Sequence, residues 1–233
     1  MDDRTTPSAE PGVGDHVREV IDEVKPHLRG WLHAATAPLA LAAGIVLVAL
    51  SPTTTTRVGS TAFALSALAL FTASATMHRG RWSERTGLWL RRLDHSSIFL
   101  LIAGSYTPFS LLLLEGADRA TLLSVAWGGA VLGILFRLFW TGAPRWLYTP
   151  IYIALGWVAV FYIPAFYASA STAVLTCIVV GGGLYTVGGV VYGFKWPDPS
   201  PRWFGFHEVF HSLTIAAFVV HYVGVSIATY SLR

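Results

Sequence analysis

Apolar residues fall into seven long blocks separated by short polar gaps. A helix needs about 20 predominantly apolar residues to cross the hydrocarbon core of a bilayer. Seven segments reach that length, at roughly 31–50, 58–78, 95–114, 120–140, 146–168, 171–194 and 205–230. The gaps read SPTTTTR (51–57), HRGRWSERTGLWLRRLD (78–94), EGADR (115–119), TGAPR (141–145) and KWPDPSPRW (195–203). The weakest gap is 167–171, where YASAS is polar only through its small residues, so a merged or re-entrant segment is the alternative there. The pattern predicts an all-α membrane protein, a seven-helix transmembrane bundle over residues 31–233, preceded by a tail over residues 1–30. Within the tail, Val17, Val20, Ile21, Val24 and Leu28 recur at helical spacing among charges. They predict a short amphipathic helix at the membrane surface, bent by Pro26. The first fifteen residues are expected to be disordered.

Composition agrees with this reading. Hydrophobic residues make up 54% of the 233 and charged residues only 12%, against about a quarter in soluble domains. A single cysteine, Cys177, excludes an intramolecular disulfide. The Asp-rich start lacks a basic region followed by an apolar core, so no cleavable signal peptide is expected and the first span directs insertion. Nothing suggests a nucleic-acid partner. Lys and Arg alternate unevenly between the two sides. The tail holds four, the 2–3 gap five, and the 4–5 and 6–7 gaps two each, which makes 13 against three on the opposite side. By the positive-inside rule the N-terminus of this multi-pass protein is expected to be cytoplasmic and the C-terminus outside.

Ionisable residues inside a membrane are costly and therefore mark candidate sites. That topology puts His78 at the end of span two, Asp94 and His95 at the start of span three, and His207 and His211 at the start of span seven, all on the cytoplasmic side. His207 and His211 are i,i+4, so both rings project from one helix face about 6 Å apart along the axis. This is a two-ligand arrangement suited to Zn²⁺, which takes four ligands and keeps an open position in catalytic sites. His78 would add a third nitrogen and leave the fourth position to water. Ser74 shares the face of His78 and could hydrogen-bond a substrate carbonyl or a developing oxyanion. Asp94 could orient water or act as general base.

Each feature also has a plain structural reading. The His pair could be an interfacial hydrogen-bonded pair, His78 a lone interfacial histidine, and Asp94 a helix N-cap pairing with Arg91 and Arg92. His221 lies about 15 Å deeper than His211 by helical rise, too far to share its metal. His95 points about 100° away from Asp94, toward supporting the site's residues from behind or toward packing. GFHEVFH (205–211) matches the H-E-x-x-H pattern, in which the glutamate is a metalloprotease's general base. No third ligand follows downstream, however, and no Asp follows residue 198. The protease reading fits poorly.

The stretches SATMH (74–78), LDHSSIFLLIAGSYTPF (93–109) and GGGLYTVGGVVYGFKWPDPSPRWFGFHEVFHSLTIAAFVVHY (181–222) resemble the hemolysin III family. That family is the bacterial branch of the progestin and adipoQ receptor family, within the alkaline ceramidase-like superfamily. The resemblance covers about residues 30–230 and implies seven spans with a cytoplasmic N-terminus. It implies Zn²⁺ on His78, His207 and His211, with Ser74 and Asp94 beside it, and a lipid amide as substrate class. Family members often carry a Glu and an Asn before the first-span histidine, whereas this chain reads KPHLRGWLH (25–33). The expected function is therefore a zinc-dependent hydrolase whose partner is a membrane lipid or fatty-acyl ligand. The alternatives are a non-catalytic regulator of membrane homeostasis with structural zinc, and a cytolytic protein. The cytolytic reading is disfavoured because no ring of charges would line a pore.

Overall fold

Seven helices cross the computed structural model, which describes residues 26–232. They are α1 (Trp31–Ala49), α2 (Thr54–Arg79), α3 (Glu84–Leu113), α4 (Gly116–Phe139), α5 (Arg145–Ser169), α6 (Thr172–Phe194) and α7 (Phe206–Tyr230). Each is long and apolar enough to span a bilayer. The amphipathic helix expected around Val17–Val24, and the rest of the tail before Pro26, lie outside the described residues.

Hydroxyl residues in the gaps set several helix starts. Thr53 and Thr56 form a reciprocal capping box at the start of α2. Ser83 accepts from the Thr86 amide ahead of α3, and Ser171 from the Val174 amide ahead of α6. Such caps satisfy amides that the first helical turn leaves unpaired. Because Ser171 caps a new helix, the YASAS gap separates two spans and the count is seven.

One boundary differs from the hydropathy pattern. The stretch 78–94 is mostly helix, since α3 begins at Glu84 and reaches Asp94 ten residues later. Charges end a hydrophobic block but do not end a helix. ERTGLWLRRLD contains no proline, so the helix continues out of the apolar zone. Asp94 therefore sits inside a helix and is not its N-cap; Ser83 is.

α2 packs along both α1 and α3, α4 along α3, and α7 along α6 while also touching α1, α2 and α3. Small residues allow close approach, as is common between membrane helices. A Cβ on Gly104 of α3 would strike the Ser66 side chain of α2, and one on Gly59 would meet Pro108 at 2.9 Å. By contrast α5 is loosely held and internally broken. A 3-10 stretch, Val158–Tyr162, separates its helical parts Arg145–Trp157 and Ile163–Ser169. Pro164 has no amide to continue the ladder. The Tyr106 hydroxyl of α3 fills the break, donating to the Gly156 and Leu155 carbonyls (2.6 and 3.0 Å) and accepting from the Ala159 amide (2.8 Å). Between α5 and the helices α2, α3, α6 and α7 lies a partly open cavity of about 650 Å³.

Candidate metal centre and cavity

Helical periodicity builds the centre. Ser74 and His78 stand one turn apart on α2, and His207 and His211 one turn apart on α7. Packing of the two helix ends brings the three imidazoles together. His78 Nε2 and His207 Nε2 are 3.2 Å apart. Ring centroids are separated by 4.9 Å for His78–His207, 5.5 Å for His78–His211 and 4.5 Å for His207–His211. One nitrogen from each ring lies within 4.8 Å of the others, so the three residues could bind a metal ion. The His78–His207 separation fits zinc, because two nitrogens about 2 Å from one tetrahedral ion sit a little over 3 Å apart. His211 is 2% exposed, and its Nδ1 is buried with no hydrogen-bond partner.

Asp94 and Ser74 complete the group that the sequence singles out. Asp94 Oδ2 lies 3.8 Å from His78 Nε2 and 3.8 Å from His95 Nδ1. Ser74 is buried beside the Asp94 carboxyl, yet its hydroxyl meets no hydrogen-bonding geometry. All five candidate residues thus share one end of the bundle. His95 thus touches Asp94 and is held by its other neighbours: Nδ1 bonds the Arg91 carbonyl (2.8 Å), Nε2 faces the Tyr192 hydroxyl (3.4 Å), and its own carbonyl accepts from Tyr152 (3.0 Å).

Three neighbours could not be placed from sequence. His33 of α1 stacks on His211, with centroids 3.7 Å apart and planes 15° from parallel, and both its ring nitrogens lack partners. Arg137, read from sequence only as a loop charge, is 1% exposed and turns inward at the end of α4. Its guanidinium lies over the Tyr148 ring at 4.4 Å and bonds the Thr141 carbonyl (3.3 Å). Arg145 lies over Tyr192 at 4.8 Å. Among the described residues neither arginine pairs with a carboxylate, and both line the cavity. The one available signal was an arginine inside the apolar run LGILFRLFW.

Glu208 has a different task from the one H-E-x-x-H would give it. It is fully buried, and both carboxylate oxygens are occupied. Oε1 pairs with Arg29, while Oε2 accepts from the Gly205 amide at 2.9 Å, which caps α7. The partner comes from the segment before α1. That segment is also held by backbone bonds from His27 to Arg202 and from Leu28 to Trp203. Gly30 adopts φ 79° there, and a Cβ on it would sit 2.6 Å from His78 Cβ. Glycine meets both demands, since it reaches positive φ without a side-chain penalty. The glutamate thus anchors the helix bearing the histidine pair.

The cavity extends from this centre into the bundle. His78, Asp94, His207 and His211 line one end, and Phe109, Phe166, Ile178 and His221 the other. Most of the wall is apolar, the composition expected of a pocket for a ligand with a hydrocarbon body.

A family model described as "Haemolysin-III related" matches residues 22–222. The chain belongs to the haemolysin III family. The match takes in every member of the histidine cluster, along with Ser74 and Asp94. Among related proteins, "Hemolysin-3 homolog" of Bacillus subtilis is 38% identical over 138 residues, 59% of this chain and 64% of that protein. The chain thus spans a little under two thirds of that relative's length. "Hemolysin-3" of Bacillus cereus is 32% identical over 163 residues, 69% of this chain and 74% of that protein. "Adiponectin receptor protein" of Drosophila melanogaster is 30% identical over 165 residues, 62% of this chain and 36% of that protein. This haemolysin III family member is accordingly a multi-pass membrane protein, with a distant likeness to an animal receptor of the progestin and adipoQ receptor family.

Proposed function

We propose that the protein is a zinc-dependent hydrolase of the bacterial plasma membrane that cleaves a lipid amide, with its metal centre near the cytoplasmic face. The observation that carries this reading is the trio His78, His207 and His211 at the end of a largely apolar cavity, with Asp94 at 3.8 Å from His78. The excess of Lys and Arg in the tail and in the even-numbered gaps, 13 against three, supports the orientation. The three histidines would hold the ion, and Zn²⁺ so bound would supply a Lewis acid that polarises a carbonyl and acidifies water.

The chain's own residues supply the rest. Asp94 takes up and returns a proton at its carboxylate, as general base and then general acid. Ser74 offers its unpartnered hydroxyl to the polarised carbonyl oxygen. Arg137 and Arg145 hold the polar head at the mouth, and the apolar wall orients the acyl chain and excludes water from the reacting end.

Purified protein in proteoliposomes, given a long-chain N-acyl lipid, should release fatty acid detectable by mass spectrometry. His207→Ala/His211→Ala should release none; full activity in that variant would sink the proposal.

A second reading has its own support. His78 on α2 faces the histidine pair on α7, so a bound ion would also staple two helices, as a non-catalytic regulator of membrane homeostasis requires. On that reading the histidine variants lose thermal stability and wild type releases no fatty acid. The cytolytic activity suggested by the relatives' names would show as dye leakage from liposomes. The apolar cavity argues against it.

A further inference from the structure

The cavity has a second polar patch, far from the first. His221 lies ten residues beyond His211 on α7, so about 15 Å further along the helix axis, and is 8% exposed. Gly181 on α6 makes room for it, since a Cβ there would strike the imidazole ring. Its Nε2 faces the Ile178 carbonyl at 3.4 Å. That contact places the proton on Nε2 and leaves Nδ1 as an acceptor, buried and without a partner. The Tyr185 ring lies edge-on to His221 at 5.5 Å, and its hydroxyl is likewise buried and unpartnered. Ser105 of α3 approaches that hydroxyl, but its own oxygen also finds no hydrogen-bonding geometry. All three side chains line the same cavity as the histidine cluster.

Unmet polar atoms are expensive in an apolar interior, and more so at membrane depth. Here three from different residues on three helices face one space. An arrangement that served packing alone would be better made of apolar residues. We propose that His221, Tyr185 and Ser105 form a second binding subsite, which takes a hydroxyl group carried partway along the hydrocarbon body of the ligand. A hydroxyl suits all three partners, because it donates to Nδ1 while accepting from the tyrosine or serine hydroxyl. A carbonyl only accepts and leaves Nδ1 unmet; a methylene satisfies none of them. The subsite therefore selects hydroxylated chains over plain ones, in the way that sites built to hydrogen-bond a substrate hydroxyl reject analogues lacking it. The inference rests on the reading of the cavity as a lipid site, with the ligand's head at the histidine end.

The test is displacement of a fluorescent fatty acid from the full-length protein in nanodiscs, by stearate or by stearate carrying one mid-chain hydroxyl. Wild type should bind the hydroxylated probe about tenfold more tightly. Tyr185→Phe and His221→Leu should reduce that preference severalfold, with stearate affinity and zinc content unchanged. If His221→Leu does not fold, Tyr185→Phe and Ser105→Ala, which each delete one oxygen, carry the same test. Equal affinity of wild type for the two probes, the result expected of a patch that holds only water, overturns the subsite and leaves the lipid site standing. So does a preference that survives in these variants. Displacement by neither probe overturns both.

Discussion

His211 and His221 lie on the same helix, both buried, and differ chiefly in what surrounds them. His211 stands where α2 and α7 converge, stacked on His33 and facing His78 and His207. His221 stands among Phe109, Tyr185 and Gly181, with one carbonyl as its polar contact. The first environment concentrates nitrogen ligands, which suits a metal ion. The second leaves a single acceptor in hydrocarbon, which suits a ligand's hydrogen-bond donor. An imidazole at membrane depth is thus only a capability, and its neighbours decide the chemistry.

That contrast can be broken most severely at the histidine end. In His207→Ala/His211→Ala, bound zinc measured by mass spectrometry should fall from about one ion per chain to background, because two of three protein ligands are gone. His221→Leu should keep its zinc, and metal loss there would erase the distinction between the two sites. Asp94→Asn comes next. It should retain zinc while hydrolysis falls by about 10²–10⁴-fold, the range for removing a general acid–base group; a simultaneous loss of zinc would make Asp94 a structural residue.

Three further changes probe the supports of the two regions. Arg29→Ala leaves the buried Glu208 carboxylate without its cation. It should cost about 3–5 kcal/mol, read as a lowered unfolding midpoint in detergent together with weakened zinc retention. Glu208→Gln, which keeps the cap on α7 and removes the charge, should be milder; equal damage would point to the cap rather than the ion pair. At the other region, Tyr106→Phe removes the hydroxyl that fills the break in α5. It should cost roughly 1–3 kcal/mol in thermal unfolding without changing zinc content.

Much of this was legible in the chain. Seven apolar blocks of spanning length gave seven helices, with most boundaries within a few residues, since bilayer thickness sets the length of each block. The i,i+4 spacings of Ser74 with His78 and of His207 with His211 were readable because helix geometry is local. The topology put the three histidines and Asp94 at one depth. The start of α3 was misjudged because hydropathy reports where lipid begins, while the helix runs on through Arg85, Arg91 and Arg92 to Ser83. Arg137 was misread for a related reason: a loop-edge charge and an inward-turned one look alike until neighbouring helices are placed.

Span number and the two i,i+4 pairs, Ser74 with His78 and His207 with His211, were therefore determined by sequence alone, because each depends on residues a turn or a bilayer apart in one chain. Tertiary structure decided which faces meet. It stacked His33 on His211, paired Glu208 with Arg29, and set Tyr185 and Ser105 beside His221. Those contacts join residues up to 179 positions apart. They depend on helix rotation and close approach at small residues such as Gly104 and Gly181, which no local periodicity encodes.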